Sequence, residues 1–67
     1  MKANELKAGH RYWNRICNVY YTGKTEEHGY YDFKDGWKLK KCYVFEGQFG
    51  GPKTYYTETD LERLVER

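Results

Sequence analysis

The residue types suited to catalysis or metal binding are Cys17, Cys42, His10, His28 and the acidic pair Glu26-Glu27. Their spacing speaks against both chemistries. No C-x-x-C or H-x-x-x-H run occurs, so a zinc site would need both cysteines and both histidines to converge from distant parts of the chain. No base stands beside Cys17 in sequence to activate it as a nucleophile. Glu26 and Glu27 adjoin His28 in a stretch, Gly23 to Gly29, that reads as a solvated loop. The expectation is a non-enzymatic chain with no cofactor and no metal. The two cysteines read as free thiols. A cross-strand Cys17–Cys42 disulfide is the alternative, and a reducing compartment disfavours it.

What remains is the chemistry of contact. Three tyrosine doublets stand out: Tyr20-Tyr21, Tyr30-Tyr31 and Tyr55-Tyr56. Neighbours on a strand point to opposite faces, so each doublet in a strand sends one ring inward and one outward. Outward tyrosines offer rigid contact area with a polar tip, which suits recognition. They also suit cross-strand pairing that shields a thin sheet. The run Trp37-Lys38-Leu39-Lys40-Lys41 places lysines beside aromatic rings, a combination that fits phosphates and stacked bases as well as a solvated strand face. Twelve basic against ten acidic residues leave a net charge of only +2, short of a strongly basic nucleic-acid footprint. Gly47 to Lys53 is glycine-rich but lacks phosphate-loop spacing and precedes no helix. Phe49 either folds onto the sheet or makes this loop a binding tip.

These side chains must be positioned by short strands. Leu, Ile, Val and Phe number 11 of 67 residues, while thirteen aromatics replace the missing aliphatics. One small domain, 1–67, is the reading. Arg11 to Thr22 reads as one long or bent strand. Tyr30 to Phe45 reads as a hairpin around a three-residue loop, Lys34-Asp35-Gly36, with Gly36 in the left-handed region. That register pairs Phe33 with Trp37 and Tyr31 with Leu39 on a core face. It pairs Asp32 with Lys38 and Tyr30 with Lys40 on the other. Thr54, Tyr55 and Tyr56 form a short final strand. Thr57 and Asp60 make a capping box, Tyr56 staples on Leu61, and a helix of about 58–66 follows with Leu61, Leu64 and Val65 on one face. Arg67 suits its C-terminal end.

The expected fold is mainly β (α+β). It is a small antiparallel curled sheet, or an SH3-like barrel, of three to five strands with one C-terminal helix. The opening Leu6-x-x-Gly9 before a strand resembles the start of many small SH3-like barrels, a likeness of four residues.

No window of about 18 apolar residues spans a membrane, and no basic start leads into an apolar run. The expected setting is therefore cytoplasmic, with no membrane partner. A chain this short, read from Met1, is typical of accessory proteins of phages and mobile elements. The expected role is inhibition or modulation of a larger protein through an aromatic and basic sheet face. The candidate contact residues are Tyr20, Tyr21, Tyr30, Lys38, Lys40 and Phe49. A nucleic-acid-binding barrel using the same face is the second reading, and a homodimeric structural subunit is the third.

Overall fold

Turn chemistry sets where the strands begin and end. The computed structural model describes residues 1–66; the expected role of Arg67 lies outside them. Strand β1 is Arg11–Trp13 and β2 is Asn18–Asp32. They are not one bent strand. Asn14 separates them, because its side-chain oxygen accepts from the N–H of Ile16 (2.9 Å) and of Cys17 (2.7 Å). That Asx-type turn competes with the ladder and holds Arg15 at φ 75°. β1 then folds back on β2, with Tyr12 opposite Val19.

Strand β2 runs straight through the stretch expected as the Gly23–Gly29 loop, and β3, Gly36–Gly47, returns along it. Tyr21 pairs with Phe45 and Thr25 with Tyr43, so β2 carries two extra residues between them. An even insertion preserves side-chain alternation. Thr22 fixes the bulge by donating its hydroxyl to the Val44 carbonyl at 2.8 Å. Gly23 is required within it: its φ is +86°, and a Cβ there would lie 2.9 Å from the Ala8 Cβ.

The hairpin loop is Phe33-Lys34-Asp35, closed by the pair Asp32 and Gly36, with Gly36 at φ +78°. The expected pairings are thus displaced by two residues. Tyr31 faces Trp37, Tyr30 faces Lys38, and Leu39 faces Gly29. Asp32 sets the closure by accepting from the Lys34 N–H at 2.8 Å. A two-residue displacement keeps every side chain on its expected face but changes every partner.

Strand β4, Thr54–Tyr56, pairs with Tyr43 to Phe45 of β3. Thr57 then starts helix α1, Glu58–Leu61. The capping box forms as read: Thr57 Oγ1 accepts from the Asp60 N–H, and Asp60 Oδ2 accepts from the Thr57 N–H at 3.1 Å. The helix stops after one turn rather than reaching residue 66. Turn bonds carry the chain to Leu64, and Val65–Glu66 become β5, paired with Trp13 and Tyr12 of β1. An isolated helix this short is marginal, whereas the edge of β1 offers backbone partners. Leu61 and Leu64 are buried as expected, but Val65 is 47% exposed.

The result is an open five-stranded antiparallel sheet, in the order β4-β3-β2-β1-β5. It does not close into a barrel. Its outer strands have only two or three residues each and sit at opposite edges. The core lies over the hairpin base. Tyr12, Val19, Tyr43, Phe45, Leu61 and Leu64 form it, with Met1, Ala3, Leu6, Tyr21 and Tyr56 packed against them. Tyr12 is fully buried, and its hydroxyl accepts from the Lys7 N–H at 2.8 Å, so no polar atom is stranded there. Phe45 is edge-on to Tyr12 and Tyr56 at 6.0 and 5.1 Å.

Asn14 also donates to the Tyr56 hydroxyl at 2.9 Å. Counting its weak Nδ2 donation to Cys17 Sγ at 3.7 Å, Asn14→Ala removes four hydrogen bonds and is expected to cost about 1–3 kcal/mol in urea unfolding. Asn14→Asp keeps the two backbone bonds and should recover part of that loss. Burial and the neighbouring Glu58 carboxylate, which accepts from its hydroxyl at 3.3 Å, raise the pKa of Tyr43. Folding thus favours the neutral phenol. The resulting stability is complete below the ordinary tyrosine value and falls as pH rises through the folded one. The alkaline loss of stability should be smaller in Tyr43→Phe, as read by urea unfolding midpoints across the alkaline range.

Candidate functional site: the uncovered ribbon

Beyond the core, β2 and β3 continue as a two-stranded ribbon with no third strand among the described residues. β1 pairs only with Asn18 to Tyr20, and β4 only with Tyr43 to Phe45. The ribbon accounts for the elongated body of 38 × 22 × 21 Å. Alternation places Trp37 and Leu39 on the same face of β3 as Tyr43 and Phe45, but nothing lies above them. The expected core face of the hairpin is therefore exposed. Phe33 is 94% accessible, Trp37 76%, Leu39 68% and Tyr31 55%.

These side chains organise one another instead of a core. Tyr31 meets Phe33 edge-on at 5.5 Å and Trp37 edge-on at 5.7 Å, the arrangement that ring quadrupoles favour. At roughly 200 Å² per aromatic, the patch presents about 500 Å² of apolar surface. That lies in the size range of the largest patch on a typical monomer, which is often functional. Lys34 and Asp35 adjoin it in the turn, while Asp32 and Lys38 lie on the opposite face. Lys38 Nζ lies 2.6 Å from Asp35 Oδ2, so these two charges are balanced.

The opposite face holds four of the residues selected from sequence. The register puts Tyr20, Tyr30, Lys38 and Lys40 together on it, though Tyr20 and Tyr30 are about 30 Å apart along β2 at about 3.3 Å per residue. Lys40 Nζ sits 5.1 Å from the Tyr30 ring centroid, a cation–π contact. The His28 and Tyr55 rings meet at 4.4 Å with a 47° tilt, on the face that also carries the buried Cys42 and Val44. His28 Nε2 is 3.6 Å from Glu26 Oε1. Tyr21 leaves this set: it turns to the core, 5.2 Å from the Phe45 ring. Of the doublets, Tyr21 is the ring of its pair that turns inward, and Tyr56 turns inward as expected. Tyr31 is on the inward face but beyond the core.

Phe49 lies in the β3–β4 loop at the other end of the sheet and is 94% exposed. It does not fold onto the sheet. Asn18 ties the β1–β2 turn to this loop by donating to Gln48 at 3.2 Å, and that turn exposes Ile16 at 85%. Cys17 is exposed and Cys42 is buried, and they are not joined. No cluster of three or more His, Cys, Asp or Glu able to hold a metal occurs among the described residues. Among those residues, no helix is long and apolar enough to cross a membrane.

The sequence reading missed Tyr31, Phe33, Trp37 and Leu39 as a surface because their pattern is that of a buried strand face. The available signal was length: a final strand of three residues cannot cover so long a hairpin. Comparison with known proteins found no matching family model, no matching curated protein and no matching solved structure.

If these rings are surface and not core, stability should separate from exposure. Phe33→Ser/Trp37→Ser is expected to change unfolding free energy by about 1 kcal/mol or less. Phe45→Ala should cost about 3–5 kcal/mol. Urea unfolding of the two variants beside wild type checks the contrast.

Proposed function

We propose that this chain is a small non-enzymatic binding protein that modulates a larger protein, with the ribbon as its contact element. The observation that carries this reading is the exposed cluster of Tyr31, Phe33, Trp37 and Leu39 at the end of the projecting hairpin. Water gains nothing from such a cluster, whereas burying it against a partner removes roughly 500 Å² of apolar surface. A standard interface takes about 800 Å² from each partner. The cluster would thus fill the centre, and Lys34 and Asp35 in the adjoining turn would set orientation. Large rings at the centre with charges around them is the usual distribution of interface energy. Lys40 over Tyr30 would extend the contact to the second face and attract an acidic partner.

The same Lys40–Tyr30 pair favours the nucleic-acid reading, since it joins a phosphate-seeking charge to a stacking ring. The pairing of Lys38 with Asp35 weakens that reading by neutralising one of the lysines it needs.

Capture from lysate, with and without nuclease, tests the proposal using wild type and Phe33→Ser/Trp37→Ser. The expected result is a discrete protein that survives nuclease and is lost with the double variant. Capture of nucleic acid alone, weakening steeply as salt rises, would replace this reading with the second. Capture equal for wild type and variant would remove the ribbon from the function.

A further inference from the structure

The ribbon has a second unfilled feature, its outer edge along β3. β4 would cover that edge if it continued, but the Thr57–Asp60 capping box ends β4 at Tyr56 and turns the chain into α1. From Trp37 to Cys42, no strand among the described residues flanks β3 on that side. A cavity of about 300 Å³ opens where β4 stops, lined by Leu39, Lys40 and Lys41 on one side and Thr57, Glu58 and Thr59 on the other. Trp37 and Leu39 line one face of this edge, and Lys38 and Lys40 the other, with Lys41 at its inner end.

We propose that the free edge of β3 from Trp37 to Cys42 receives an extended acidic-apolar peptide of a partner protein as an added strand in line with β4. Strand addition gains affinity from backbone hydrogen bonds and specificity from alternate side chains. On this edge, apolar residues of the guest meet Trp37 and Leu39, while carboxylates meet Lys40 on the other face, Lys38 being already held by Asp35. Two charges fix the occupant. Lys40 and Lys41 make ring contacts, with Tyr30 and Tyr43, and no ion pair among the described residues, so both remain open to carboxylates. A second copy of this chain fits poorly: antiparallel pairing of identical edges centred on Leu39 would set Lys38 against Lys40 of the copy, and like charges directly opposite destabilise a ladder. The outer edge of β2 is less suited to an acidic guest because it carries Glu26 and Glu27.

This inference rests on the binding role and names the chemistry of its partner. The probe is a synthetic peptide as long as Trp37–Cys42, alternating glutamate with valine and tyrosine. Its controls are a lysine-for-glutamate counterpart and a scrambled sequence of the same composition. Hydrogen exchange resolved by residue is the readout. The acidic peptide is expected to slow alternate β3 amides between Trp37 and Cys42 at least tenfold while leaving the β2 edge unchanged. Lys40→Glu/Lys41→Glu, both solvent-facing changes, should weaken that binding at least tenfold and reverse the preference toward the lysine counterpart. No protection at about 1 mM peptide, the weak limit of a specific contact, would overturn the proposal. So would equal binding of the counterpart or scrambled control, or protection that grows with protein concentration alone and thereby identifies a second copy. Binding to phosphatidylserine vesicles without peptide protection would overturn it in favour of a lipid surface. If partner capture still depends on Phe33 and Trp37 while β3 stays unprotected, the edge assignment fails and the binding role stands.

Discussion

The structure depends on a mismatch of lengths. The central hairpin has strands of fifteen and twelve residues, while its neighbours β1 and β4 have three each. A sheet buries a face only where another layer lies on it, and here that layer is the N-terminal segment, α1 and Leu64 gathered at one end. Tyr12, Phe45 and Leu61 are among the largest fully buried side chains and belong to that covered part or to the layer itself, while Val44 is buried with Cys42 on the opposite face. Beyond Thr25 and Cys42 the backbone ladder is β2–β3 pairing alone, tied to β4 by the His28–Tyr55 ring contact. The division between a core and a contact element follows from coverage rather than composition, since both ends carry large aromatic side chains.

Much of this was legible in the sequence where local chemistry decides. The capping box at Thr57, the short strand Thr54–Tyr56, the left-handed Gly36 and the separation of Tyr31, Trp37 and Leu39 from Tyr30, Lys38 and Lys40 all follow from residue type and alternation. The reading failed where two plausible local structures compete through tertiary contact. Asn14 can sit in a strand or break it, and the bonds from Ile16 and Cys17 settle that. Leu61, Leu64 and Val65 fit a helical face, yet the open edge of β1 takes Val65 and Glu66 as a strand. Gly23 to Gly29 carries turn-favouring residues, yet β3 supplies a complete ladder for them. Alternation says which residues share a face; it cannot say whether anything lies above that face. Tyr31, Phe33, Trp37 and Leu39 were therefore grouped correctly and assigned to the core.

A free two-stranded ribbon is marginal in water, so this one must be held by interactions that need no third layer. The tip supplies them from adjacent residues. Asp32 holds the Lys34 N–H, Lys38 reaches Asp35, Tyr31 braces Phe33 and Trp37, and Lys40 lies over Tyr30. Each is a local contact of about 1 kcal/mol or less. Together they pre-order the shape of the tip without burying it. A surface ordered in this way loses less conformational freedom on association than a flexible loop of the same composition would. The sequence thus spends its aromatic residues in two ways: at the base they make stability, and at the tip they make a shape.

The same reasoning explains why the two ends can vary independently. Loss of a ring at the base opens a cavity among Tyr12, Phe45 and Tyr56, and the penalty is paid in folding. Loss of a ring at the tip removes contact area that folding never used. The bulge at Thr22-Gly23-Lys24 lies at the boundary, where the twist of the covered sheet gives way to the free ribbon. Gly23 lets Ala8 approach there, so the N-terminal segment closes the core at the point where coverage ends. A side chain at Gly23 would meet the Ala8 Cβ and force that segment to shift, so the bulge couples the end of the covered sheet to the N-terminal segment.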